Sequence, residues 1–121
     1  MTLLRRTFIA AAVALIATHA AAHHGWRWTD GGQFELTGVV THAQLGNPHG
    51  VLTIEANGEI WAVEVGQPWR NERAGLTDNM LSVGTEMTVI GERHADPNEL
   101  RMKAEAVVID GETYPLYPER L

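Results

Sequence analysis

The dipeptide Asn57-Gly58 constrains this chain more than any other feature. It stands between "HGVLTIEA" (49–56) and "EIWAVEV" (59–65). Asn-Gly between alternating apolar runs marks a two-residue hairpin turn, whose central residues both take positive φ. Such a turn also fixes register. It puts Ile54 opposite Trp61 and Leu52 opposite Val63 on a core face, and leaves Thr53, Glu55 and Glu64 on a wet one.

The rest of the chain reads outward from that hairpin. "FELTGVVTHAQL" (34–45) has the β-branched density of a strand, with Gly38 as a candidate bulge. "GTEMTVIGERH" (84–94) and "LRMKAEAVVID" (100–110) are two more strands, joined by a turn around Asp96-Pro97-Asn98. Between the hairpin and this pair, residues 68–81 break the alternation. Pro68 can open a helix there, and Gly75 interrupts it. Three strands, a short helical connection and two strands predict an all-β domain, a small five-stranded OB-like barrel. A plain β-sandwich would use similar strands.

The first 22 residues read as an export signal. Arg5 and Arg6 are its basic part, Phe8 to Ala17 its apolar part, and Ala20 and Ala22 have the spacing a signal peptidase accepts. The apolar part is shorter than the ~20 residues a membrane span needs. "RRTFI" also resembles a twin-arginine signal, although Leu4 replaces the usual Ser or Thr before the pair. Cleavage after Ala22 would leave residues 23–121 as one exported domain, periplasmic or secreted, beginning His-His-Gly-Trp. It would also remove Arg5 and Arg6 from a chain whose formal charge is already −6. So acidic a surface repels nucleic acid and anionic lipid. The chain has no cysteine, so disulfides and thiolate metal sites are excluded.

Any metal here must therefore use histidine, carboxylate, methionine or the backbone. His23, His24, His42, His49 and His94 all follow the predicted cut. A turn centred between Leu45 and Gly46 would make His42 and His49 cross-strand partners on the wet face, with Val39 opposite Leu52. The plainer alternative makes His49 a turn residue bonding locally after Asn47-Pro48, and His42 an ordinary polar strand residue. At a free terminus, the amine and imidazole of His23 can chelate one ion, and a further histidine completes a three-nitrogen histidine brace. Nitrogen ligands in a tetragonal arrangement suit copper(II). Cleavage after Ala20 would instead give Ala-Ala-His, a square-planar site for copper(II) or nickel(II). Met80, Met87 and Met102 read as core fillers rather than soft ligands. Trp61 reads as core, and Trp26 and Trp28 as packing for the N-terminal arm.

"HHGW", "NPHG", the "W" and "VE" of "IWAVEV", and "VGTEMTVIG" together resemble DUF6152, a family of small exported bacterial proteins of unknown function. The resemblance covers nearly all of residues 23–121, with Leu45 where an aromatic is expected before NPH. It implies an exported, β-rich single domain and brings no activity with it. The metal ligands expected from the residues themselves are His23, His24, His42 and His49, in a periplasmic copper carrier, buffer or metallochaperone. A periplasmic protein would be its partner. A metal-free module for a protein or glycan is the alternative. A small copper oxidase is the third class, although no Ser-His-Asp pattern is evident and so small a domain leaves little room for a substrate groove.

Overall fold

The computed structural model describes residues 25–121. The predicted signal segment, His23 and His24 lie outside the described residues. The strands are β1 (Phe34–Gln44), β2 (Val51–Ala56), β3 (Glu59–Glu64), β4 (Glu86–Arg93), β5 (Arg101–Ile109) and β6 (Glu112–Pro115). Helix α1 (Pro68–Ala74) joins β3 to β4, and a 3-10 turn (Pro118–Arg120) follows β6. Neighbours run β3-β2-β1-β4-β5-β6, and a parallel β3–β5 pairing closes the first five into a barrel. This is the OB-like arrangement predicted from the strand order.

The Asn-Gly hairpin forms in the predicted register, with Ile54 opposite Trp61 and Leu52 opposite Val63. Asn57 and Gly58 take φ of 51° and 80°, as the turn demands. Leu52, Ile54 and Val63 are fully buried, and so, nearly, is Trp61, which stacks on Phe34 at 5.1 Å between centroids. Met87 and Met102 fill the core, and Met80 packs at its margin. Pro68 opens α1 at a position where its missing N–H costs nothing. Gly75 ends it at φ 93°, its N–H donating to carbonyls of the last turn.

Three expectations are corrected. Val39 pairs with Glu55 and His42 with Thr53, because residues 45–50 form a longer loop in place of a two-residue turn. The shift reverses the face of Val39, which is exposed while Val40 is buried. His42 and His49 are therefore not cross-strand partners. The β1 irregularity lies between Val40 and His42, not at Gly38. Gly38 serves close packing instead, since a Cβ there would collide with the Glu55 carbonyl. Finally, Asp110 and Gly111 at φ 50° and 80° turn a second two-residue hairpin into β6, a strand the sequence reading omits.

Candidate functional site

Barrel closure builds the site. The parallel β3–β5 pairing sets Glu64 opposite Lys103, and the β2–β3 pairing sets Glu64 opposite Val51. Alternation sends Trp61 and Val63 inward and Glu64 outward, yet Glu64 is only 5% exposed. It is buried under the loop before β2 and the residues before β1, not on a wet face. A buried carboxylate needs charged and hydrogen-bonding partners. Lys103 Nζ lies 3.2 Å from Oε2, a charge contact off the line of a hydrogen bond, and Arg101 reaches Oε1 at 3.9 Å.

His49 supplies the close contact, with its Nε2 2.6 Å from Glu64 Oε1. The backbone continues the β2–β3 ladder beyond Val51, with Gly50 N–H donating to Gly66 and Val65 N–H donating to Gly50. His49 is thereby carried to the end of β3, diagonal to Glu64. A proton on Nε2 would face the carboxylate and leave Nδ1 with the lone pair of a neutral ring. Metal-binding histidines are oriented in this way by carboxylates behind them. His49 also lines a shallow pocket of about 250 Å³ with Gln44 to Pro48 and Val51.

The N-terminal arm closes the site from the other side. Lys103 Nζ donates to the Gly25 carbonyl at 3.0 Å. Trp26 lies over Lys103 at 4.6 Å, and Trp28 over Arg101 at 4.0 Å. The two arm tryptophans thus cover the two cations that face Glu64, contacts worth ~0.5 to 2 kcal/mol each. Further along, Asp30 N–H donates to Arg93, Ala95 N–H donates to Trp28, and Thr29 bridges to His94. Lys103 and Glu64 thus link the Gly25 carbonyl of "HHGW" to the His49 ring of "NPHG". The arm is docked at Gly25, one residue after His24.

The remaining histidines fall elsewhere. His42 is exposed on β1 opposite Thr53. His94 is structural, since its Nδ1 accepts from the Asp96 N–H at 2.9 Å and its ring lies 5.7 Å from that of Trp28. Among the described residues, no three His, Asp or Glu side chains are arranged to hold a metal, so a three-nitrogen site would need the terminal histidines. Two further buried carboxylates, Glu92 and Glu105, lie on β4 and β5 beneath Arg120. Burial first, and Glu92 second, push the Glu105 carboxyl up, partly offset by Arg120.

Sequence reasoning missed Glu64 and Lys103. A signal for Glu64 exists, because it is the carboxylate of the "VE" in "IWAVEV". Lys103 carries no local signal, since only the parallel closure brings it to Glu64. No helix among the described residues is long and apolar enough to cross a membrane. No curated protein matches the chain in sequence. A family model, described as a family of unknown function (DUF6152), matches residues 10–102. The chain belongs to that family.

Proposed function

We propose that this DUF6152 protein is an exported, periplasmic copper-binding protein, a carrier or buffer. His23 and its amine, with His49, are the principal ligands, and His24 stands in reserve. One observation supports the reading above the others: contacts of 3.0, 3.2 and 2.6 Å link the Gly25 carbonyl to the His49 ring through Lys103 and Glu64. Two extended residues before Gly25 span up to ~7 Å. A proton on His49 Nε2, facing Glu64, would leave the lone pair on Nδ1, the nitrogen a metal would take. Amine and imidazole nitrogens suit copper(II). His42, the expected third imidazole, lies opposite Thr53 and is not a cross-strand partner of His49.

The test is a chelator-competition titration of copper(II) into the exported protein. His49→Ala, and a variant with one residue added before His23, should each weaken binding by more than ~10-fold, the loss that even outer-shell changes produce. Binding should also weaken as pH falls, because protons and metal compete for the same lone pairs. If both variants bind like the parent, the copper site does not exist. A metal-free module for a protein or glycan is then the better reading.

A further inference from the structure

The C-terminal tail makes contacts that the Glu64 cluster does not require. Leu116 and Tyr117 N–H groups both donate to the Glu105 carbonyl, at 2.9 and 3.0 Å, which turns the chain back over β5. Tyr117 then meets Trp26 edge-to-face, with centroids 5.1 Å apart at 83°. The Arg120 guanidinium lies 3.8 Å from the centre of the Trp26 ring. With Lys103 at 4.6 Å, this one arm residue is held by two cations and an aromatic ring.

Arg120 is itself fixed. Its Nη2 donates to Glu92 Oε2 at 3.1 Å, and its Nε lies 3.8 Å from Glu105 Oε2. The other Glu92 oxygen faces the Thr29 hydroxyl at 2.8 Å, and that hydroxyl also lies 2.7 Å from the Trp26 carbonyl. A single carboxylate on β4 therefore holds the arm with one oxygen and the tail with the other. Trp26 and Thr29 are the arm's side of this joint, and Tyr117 and Arg120 the tail's. An arm needing only to cover Glu64 could do so with Trp26 on Lys103 and Trp28 on Arg101. The added tail contacts act on the segment that carries the terminal histidines.

We propose that the C-terminal tail, through Tyr117 and Arg120, is the clamp that seats the histidine-bearing arm on the barrel, which makes both of them positioning residues for a metal site on that arm. The clamp rests on geometry alone, and its role toward metal rests on the copper reading above. In the folded protein, amide exchange at Asp30 and Ala95 reports arm docking, because both N–H groups bond across the arm-barrel junction. Arg120→Gln removes the cation but keeps a polar side chain. Tyr117→Leu removes the aromatic partner and leaves Arg120 with its carboxylates, so the test survives if the first variant is poorly folded.

Each variant should speed exchange at Asp30 and Ala95 by about 10-fold through local opening of the arm, while the amide of core Val89 stays slower than either. Each should also weaken copper(II) binding by about 10-fold, as loss of an outer-shell support does, and Arg120→Lys should restore part of both. Arm amides exchanging at the wild-type rate in both variants would overturn the clamp. Faster arm exchange with unchanged copper affinity would overturn the positioning role. If the wild-type protein binds no copper, the copper reading fails by itself, and faster arm exchange in the variants still supports the clamp.

Discussion

Replacing Lys103 by Met tests whether Glu64 is the buried anion on which the arm, the His49 loop and barrel closure converge. Met keeps the apolar stem of Lys103 and deletes the ammonium, taking away the 3.2 Å contact to Glu64 and the 3.0 Å bond to the Gly25 carbonyl. Breaking a buried ion pair from one side costs about 3 to 5 kcal/mol, because it strands the other charge. Here His49 at 2.6 Å and Arg101 at 3.9 Å still face the carboxylate, which sets the expected loss near the lower end. About 3 kcal/mol is a large share of the ~5 to 15 kcal/mol that holds a domain together. For a domain of this size it should lower the melting temperature by roughly 12 to 24 °C. Urea unfolding followed by tryptophan fluorescence measures the loss. Adding Glu64→Gln to Lys103→Met removes the stranded charge and should recover a good part of the stability. A Lys103→Met loss below about 0.5 kcal/mol, the range of surface changes, would refute the reasoning. So would a double variant no more stable than the single one.

Trp61→Ala should cost roughly 3 to 5 kcal/mol in the same assay, as truncation of other large core aromatics does, and a loss below about 1 kcal/mol would contradict its place against Phe34. Glu105→Gln reports on pH. Because burial raises the folded-state pKa of Glu105, the stability this carboxyl contributes is complete below the ordinary carboxyl range and is lost as pH rises through the raised value. Glu105→Gln should therefore melt above the wild-type protein near neutral pH, with the gap shrinking in acid. A pH-independent gap would refute the cause assigned.

Hairpin and barrel were legible for a local reason. Asn57-Gly58 leaves one register open, and the observed Ile54–Trp61 and Leu52–Val63 pairs follow from it. The same signal at Asp110-Gly111 went unused, because the strand beyond it is four residues long and ends in Pro115. The β1–β2 connection was not legible. A loop over 45–50 leaves pairing free to slip, and alternation alone cannot tell which slip occurs, so Val39 was expected to face the core and points to solvent. The site divides in the same way. His49 carried a local signal in "NPHG", and the arm tryptophans one in their density. The Glu64–Lys103 contact comes from pairing two strands with 36 residues between the end of one at Glu64 and the start of the other at Arg101, so that only closure joins 64 to 103.

Native mass spectrometry of the protein recovered from the periplasm, with copper(II) supplied, tests the central claim most directly because one mass reports both terminus and metal. The account predicts loss of residues 1–22 and retention of one copper ion, absent from His49→Ala at the same copper concentration. A chain that keeps a residue before His23 and still binds one copper would move the site away from the histidine amine. A mature chain starting at His23 that retains no copper, or retains it equally without the His49 imidazole, would contradict the claim.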